Sequence, residues 1–154
     1  MKRDELWLQM LLDDIWDNYF SDVPQDNDVI IRYGKKARQR LGSIAYDSQT
    51  GRSTITINSL FADERVPEYV VRATIVHELT HYAHGFNSPL QQNKQYPHSG
   101  GIIRREFAER GLENLYVRQK KWLKANWKDF IISTIGLSEQ RRRKRAYRVV
   151  LRRI

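Results

Sequence analysis

The chain contains no cysteine, which excludes a disulfide scaffold, a thiol nucleophile, a zinc ribbon and any cysteine-ligated cluster. It also has no apolar run of membrane-spanning length. Its first sixteen residues carry acidic side chains within the apolar stretch and lack the small-residue cleavage site of a signal peptide. These absences predict an intracellular, cytoplasmic protein that is not secreted and has no membrane partner.

Positive charge is concentrated at the C-terminal end of the chain. Residues 117–154 hold 13 Lys/Arg and two acids, a net of +11, whereas residues 1–116 hold 14 bases and 16 acids, a net of −2. With 154 residues, the chain is long enough for one core and too short for two. We therefore expect one folded domain over residues 1–116 and a basic helical extension over residues 117–154, packed on or trailing the same domain. Such an asymmetry predicts an anionic partner, with nucleic acid the obvious candidate.

Hydrophobic periodicity and turn residues predict an α+β fold. Helices are predicted over residues 3–20, 35–42, 67–85 and 102–124, and strands over residues 28–33, 43–46 and 52–58. Pro67 is well placed to start the third helix, and Gly85 to end it. We expect helices packed on a small, mainly antiparallel sheet, in which residues 54–58 form an edge strand that an extended peptide can join.

The strongest chemical signal is the H-E-x-x-H sequence His77-Glu78-Leu79-Thr80-His81 in the third predicted helix. Residues four apart lie one turn along the same helix face, so both imidazoles can converge on one cation. Imidazole ligands favour zinc, and a catalytic zinc site keeps one position open for water. Glu78 lies about 100° round the helix from His77, where it can act as general base toward a metal-activated water. The pattern predicts one Zn²⁺ ion beside a catalytic glutamate.

A third protein ligand is required, and the sequence offers three candidates. His84 lies about 10.5 Å along the helix axis from His77, which is far for a shared ion, and it is better placed to interact with the last carbonyls of the helix. Glu106, on the next predicted helix, completes a set of two histidines and one carboxylate. His98 lies in the loop before that helix, where the returning chain can place its ring over the first two. This geometry favours His98, with Glu106 and His84 as alternatives.

Three runs of the sequence resemble the SprT-like zinc metallopeptidases, within about residues 5–115: RQRLGSIAYDSQTGRSTITINSLF, VPEYVVRATIVHELTHYAHG and PHSGG. The resemblance implies a zincin-like fold, zinc bound by His77, His81 and His98, and Glu78 as general base. It also implies activity on proteins bound or crosslinked to DNA, as in several members of the family. Many members add a cysteine-rich zinc ribbon, which this chain lacks.

The basic C-terminal region interleaves aromatic and cationic side chains. Cations neutralise phosphates and release counterions, while exposed aromatic rings stack on unpaired bases. The candidate nucleic-acid-binding residues are Lys120, Lys121, Trp122, Lys124, Trp127, Arg141, Arg142, Arg143, Lys144 and Arg145. In the alternative interpretation, Trp122 and Trp127 face the core from a last helix, and the cations are simply solvated.

Together these patterns predict a monomeric zinc metallopeptidase of the H-E-x-x-H type. As an endopeptidase it would hydrolyse DNA-bound or DNA-crosslinked proteins, and so act in DNA–protein crosslink repair. One alternative is a general cytosolic metallopeptidase without DNA dependence. Another is a non-catalytic nucleic-acid-binding module that a structural zinc stabilises. The plainest alternative is a buried helix whose histidines only form hydrogen bonds.

Overall fold

The computed structural model of the chain describes residues 1–92, 97–136 and 145. Within these ranges it holds helices and a three-stranded sheet, which confirms the α+β class. The α-helices are α1 (Glu5–Tyr19), α2 (Glu68–Ala83), α3 (Ile102–Glu109), α4 (Glu113–Trp122) and α5 (Lys128–Ile131), and the strands are β1 (Val29–Tyr33), β2 (Gly42–Asp47) and β3 (Arg52–Ile57). Among the described residues, the helices are too short or too polar to cross a membrane.

The chain divides into two compact units. The first is Met1–Gln119 and contains the sheet and α1 to α3, and the second begins at Lys120. The predicted helical extension over residues 117–154 stays a prediction, because residues 137–144 and 146–154 lie outside the described residues.

The sheet has the strand order β1-β3-β2, with β1 parallel and β2 antiparallel to β3. It is therefore mixed, and the prediction of a mainly antiparallel sheet is wrong on this point. After β1 the chain crosses to the far edge of the sheet and forms β2. The hairpin then brings β3 back between β2 and β1, where it runs in the same direction as β1. The prediction that residues 54–58 form an edge strand is also wrong. Ser53, Ile55 and Ile57 of β3 are fully buried, as a central strand requires, and β2 forms an edge instead.

Helix α2 is the core helix of the first unit. It begins directly after Pro67, as the sequence predicts, and it contacts β2, β3, α1 and α3. Its fully buried apolar residues are Val70, Val71, Ala73, Ile75, Val76, Leu79 and Tyr82. A helix packed on several sides in a dense interior is a rigid support, so the motif residues on α2 are held firmly in place.

Residues 34–41 connect β1 to β2 and form an irregular segment, the basic loop, so the prediction of a helix over residues 35–42 is wrong. The buried side chain of Asn58 holds this loop. Its Nδ2 donates to the carbonyl oxygens of Ala37 at 2.7 Å and Arg40 at 3.0 Å, and its backbone N–H donates to the carbonyl of Leu41 at 2.9 Å. The carbonyl of Ala37, which would accept from the amide of Leu41 in a helix over residues 35–42, is bonded to Asn58 instead.

The predicted helix over residues 102–124 is interrupted, so α3 and α4 are separate. Gly111 has a φ of 74°, a left-handed conformation that ends helices. The amide of Gly111 bonds to the carbonyl of Ala108, and the amide of Leu112 bonds to that of Phe107 at 2.7 Å. These bonds close the end of α3 and redirect the chain into α4.

Candidate metal centre

Helix α2 presents His77 and His81 on one face, one turn apart. Their ring centroids are 4.8 Å apart, as a spacing of four residues allows. His81 is buried with 3% of its surface exposed, whereas His77 is partly exposed. One imidazole is therefore anchored in the core while the other borders solvent.

His98 reaches this pair from the segment that precedes α3. Its Nε2 lies 3.2 Å from Nε2 of His77 and 3.0 Å from Nε2 of His81. Gly100 and Gly101, with φ of 62° and 70°, turn the chain from His98 into α3 in a conformation that other residues rarely adopt. The three residues form the histidine cluster, whose ligand atoms all lie within 4.8 Å of one another.

The histidine cluster suits a metal ion better than it suits internal hydrogen bonds. A neutral imidazole offers at Nε2 either one proton or one lone pair, so three such atoms cannot all be satisfied by one another. Zinc–nitrogen bonds of about 2.0–2.1 Å in a tetrahedral arrangement place the ligand nitrogens about 3.3 Å apart. The separations of 3.0 and 3.2 Å from His98 are close to that value. The three histidines therefore lie close enough to bind a metal ion.

The histidine cluster is open on one side. His98 is exposed and His77 is partly exposed. Among the described residues, the cluster includes no fourth histidine, aspartate or glutamate. An ion held by three imidazoles here would keep a coordination position accessible from solvent, which is the arrangement of catalytic rather than structural zinc sites.

Local electrostatics favour a neutral His81. Burial, followed by the nearby rings of His77, His98 and His84, lowers the pKa of His81 to about 3. A neutral ring keeps the lone pair that a metal bond uses. Nδ1 of His81 is buried and has no hydrogen-bond partner within the described ranges, and the ring centroid lies 5.5 Å from that of Phe86.

Glu78 is buried, with 5% of its surface exposed, against the start of β2. A Cβ at Gly42 would lie 3.3 Å from Oε1 of Glu78 and 2.8 Å from Cγ2 of Thr74, so the close approach of α2 to β2 requires glycine there. Burial raises the pKa of Glu78 to about 8, and the charge of Arg40 opposes that rise. The carboxylate is not part of the histidine cluster.

The alternative third ligands belong to a different network. Nε2 of His84 lies 3.2 Å from Oε2 of Glu106, and Arg110 contacts the same carboxylate at 2.9 Å. Arg110 also contacts Asp22 at 2.7 Å. The ring of His84 is therefore paired with Glu106 rather than with the last carbonyls of α2, and neither residue is in the histidine cluster.

The predicted nucleic-acid-binding residues fall in the second unit. Lys120, Lys121, Lys124 and Arg145 are exposed. Those that lie outside the described residues are Arg141, Arg142, Arg143 and Lys144. Nucleic-acid binding by this region stays a prediction.

Trp122, Trp127 and Phe130 pack together in the second unit. The ring centroids of Trp122 and Trp127 are 6.4 Å apart, and Trp127 stacks on Phe130 at 5.6 Å. A π-helical turn over Leu123–Trp127 accounts for the first contact, because residues five apart point about 140° apart on a regular α-helix. Both tryptophans are partly exposed, so packing and base stacking are both compatible with their positions.

The sequence pattern alone does not assign Arg40 and Gly42 to the site. Both stand in the Arg-Leu-Gly run before the hairpin. A glycine in a strand often marks a place where another part of the chain approaches the backbone closely, so Gly42 was the feature of the sequence that could have indicated this contact. The group next to Gly42 is the carboxylate of Glu78, which is 36 positions further along the chain. This contact becomes apparent only from the packing of α2 on β2.

Comparisons of the chain with protein-family models, with curated proteins and with solved structures found no match.

Proposed function

We propose that the chain is a zinc-dependent endopeptidase with a zincin-like fold of the SprT-like type. The observation that supports this most is the histidine cluster, in which three imidazoles offer ligand atoms within 4.8 Å of one another. A buried carboxylate, Glu78, stands next to one of these ligands on the same helix. Three protein ligands, an open position and a nearby base are the components that metal-assisted peptide hydrolysis needs.

Each residue of the site has a separate task in this proposal. His77, His81 and His98 hold the ion. When bound, zinc supplies Lewis acidity, which lowers the pKa of a water to about 7 and polarises a carbonyl. Glu78 accepts the proton of the attacking water and then delivers it to the leaving amine. Its position beside a ligand, but outside the cluster, suits that role.

Strand β2 offers an edge for an extended peptide. Ile57, the β3 partner of Gly42, directs its carbonyl toward the β1 side, so the backbone groups of Gly42 point to the free edge. A peptide that adds there as a strand lies beside Glu78, which adjoins Gly42. Further along, Nδ2 of Asn87 donates to the carbonyl of Ile44 at 2.9 Å, which confines the pairing to the Gly42 end.

We further propose that the substrates are proteins bound or crosslinked to DNA. Residues 117–154 carry a net charge of +11 against −2 for residues 1–116. Lys120, Lys121 and Lys124 are exposed in this region. A cationic segment that holds DNA raises the local concentration of any protein attached to that DNA.

The proposal is tested by cleavage of a DNA-binding protein by the zinc-loaded chain, with and without single-stranded DNA. Glu78→Gln removes the proton acceptor and leaves the three imidazoles. We therefore expect zinc to remain bound while the cleavage rate falls at least about 100-fold. Glu109→Gln removes an exposed carboxylate of α3 and is the matched control, which we expect to cleave like the wild type.

The outcomes separate the alternatives. Cleavage that needs both DNA and Glu78 supports the whole proposal. Cleavage that needs Glu78 but ignores DNA favours a general metallopeptidase. A wild-type chain that binds zinc and DNA but cleaves nothing contradicts the proposal and favours a non-catalytic nucleic-acid-binding module.

A further inference from the structure

A cleft of about 270 Å³ lies between the basic loop and the sheet. Its lining includes Lys35, Arg40, Gly42, Ser43, Thr56 and Asn58. Gly42 is also the residue that adjoins Glu78, so the cleft borders the proposed active site.

The lining of the cleft includes Ser43 and Thr56, which lie on the sheet face opposite α2. A Cβ at Gly42 would point at Thr74 of α2, so the next residue, Ser43, points to the other face. Thr56 is the register partner of Ser43, and Gly34, at the start of the basic loop, lies directly against its side chain. A ligand on the free edge of β2 can therefore direct groups to α2 on one face and to the cleft on the other.

The cleft is cationic. Lys35 and Arg40 are exposed, and within the described ranges neither forms an ion pair. Residues 29–46 hold five Lys/Arg and no acid, whereas residues 1–119 as a whole hold 15 bases and 16 acids. A near-neutral unit thus presents a local positive patch beside its proposed active site, and such a patch favours an anionic ligand.

The backbone of the cleft is fixed before any ligand arrives. Asn58 is buried with 4% of its surface exposed, and its amide group holds the carbonyls of Ala37 and Arg40. A ligand therefore has to order only the side chains of Lys35 and Arg40. Preorganisation of this kind lowers the entropic cost of binding.

We propose that this cleft is a subsite for an acidic side chain of the peptide substrate, held by Lys35 and Arg40. The inference rests on the proposed peptidase function. Successive side chains of a peptide that pairs with β2 point to opposite faces, so the neighbours of a residue that faces Glu78 point toward the cleft. A carboxylate there forms charge-assisted hydrogen bonds with both cations and accepts a further one from the hydroxyl of Ser43.

A set of peptides with a single Asp moved along an alanine-rich sequence tests the subsite. At one position near the cleaved bond, we expect Asp to raise kcat/KM at least about tenfold over Ala, since a single charge-assisted hydrogen bond already gives that gain. Lys35→Glu and Arg40→Glu, alone and together, should abolish or reverse this preference. Lys36→Glu changes an exposed cation of the same loop that does not line the cleft, and this matched control should keep the preference.

Peptide binding to the Glu78→Gln variant makes the test independent of turnover. Fluorescence anisotropy should show tighter binding of the preferred Asp peptide than of its Ala counterpart. Such a preference without any wild-type cleavage supports the subsite and contradicts the peptidase function. Cleavage with no preference for Asp overturns the subsite and leaves the peptidase function standing.

A single-stranded DNA oligonucleotide is the competing occupant. If the double variant of Lys35 and Arg40 loses oligonucleotide affinity while its peptide preference is unchanged, the cleft binds phosphate and the proposal is overturned. Unchanged oligonucleotide affinity with a lost Asp preference supports the proposal.

Discussion

At the scale of single residues, the proposed site gathers side chains from separate parts of the chain. His77, Glu78 and His81 come from α2, and His98 comes from the segment before α3. Gly42 comes from β2 and leaves room for the carboxylate of Glu78. Each of these residues can be changed without removing the others, so their roles are separable.

The first residue to test is His98, the ligand that lies outside the motif. His98→Ala removes one of three imidazoles. Loss of a residue that only hydrogen-bonds to a metal ligand lowers metal affinity by about 10–100-fold. We expect loss of His98, a ligand itself, to lower the affinity for zinc by more than this when it is measured by competition with a chelator. Glu106→Gln is the control and should bind zinc like the wild type, because Glu106 is paired with His84 and Arg110. The reverse pattern would make Glu106 the third ligand.

Gly42 is the second residue to test. In Gly42→Ala, the new Cβ would meet Cγ2 of Thr74 at 2.8 Å and Oε1 of Glu78 at 3.3 Å. We expect this overpacking to lower the free energy of unfolding by about 1–3 kcal/mol and to reduce kcat by displacing Glu78, with zinc retained. Ala45→Gly alters an exposed position of the same strand and should keep kcat. Wild-type kcat in Gly42→Ala would show that Glu78 does not need this position.

The motif residues were predictable from sequence because helical spacing is local. His77 and His81 lie on one face wherever the helix packs. The contribution of Gly42 was not predictable, since it depends on which strand packs against α2. The pairing of His84 with Glu106 was missed for the same reason, because α3 had no known position relative to α2.

At the scale of secondary-structure elements, sequence failed where long-range contacts override local propensity. The basic loop is rich in Lys and Arg, which favour helices, but the side chain of Asn58 binds the carbonyls of Ala37 and Arg40. The hydrophobic periodicity over residues 102–124 predicted one continuous helix, and Gly111 was the sequence feature that indicated the break between α3 and α4. The order of the strands depends on where the hairpin inserts, which no local pattern specifies.

Arg110 connects the ends of α1 and α3, and this connection gives a pH-dependent prediction. It donates to the carbonyl of Tyr19 at 2.7 Å and to Asp22 at 2.7 Å, and it lowers the pKa of Asp22 from its usual 3.8. A carboxylate whose pKa is lower in the folded state stabilises the fold above its unfolded pKa. That contribution is lost as the pH falls through the folded value.

Asp22→Asn should therefore lower the free energy of unfolding at pH 7 by at most about 1 kcal/mol, since the carboxylate is largely exposed. Urea unfolding at a series of pH values should show the difference from wild type shrinking as the pH falls below 3.8. Asp17→Asn, an exposed change on α1, is the control. A loss of equal size at acid and neutral pH would rule out the ion pair as its source.

At the scale of the whole molecule, positive charge and the histidine cluster lie in different parts of the sequence. Residues 1–116, with a net charge of −2, contain the histidine cluster, and residues 117–154, with a net charge of +11, contain the cations to which we assign DNA binding in our proposal. The sequence alone predicts this division, because net charge needs no knowledge of packing. The net charge does not reveal the cationic cleft beside β2, because acidic residues elsewhere in the first unit cancel the charge of its lysine and arginine.

X-ray absorption at the zinc edge of the purified, zinc-loaded chain tests the proposed centre most directly. We expect one zinc per chain, with three imidazole nitrogens and at least one solvent oxygen in its coordination shell. His98→Ala should lower the number of imidazoles to two or abolish binding. A closed shell of four protein ligands, with His84 or Glu106 included, or a wild-type chain that does not bind zinc, would contradict a catalytic zinc site.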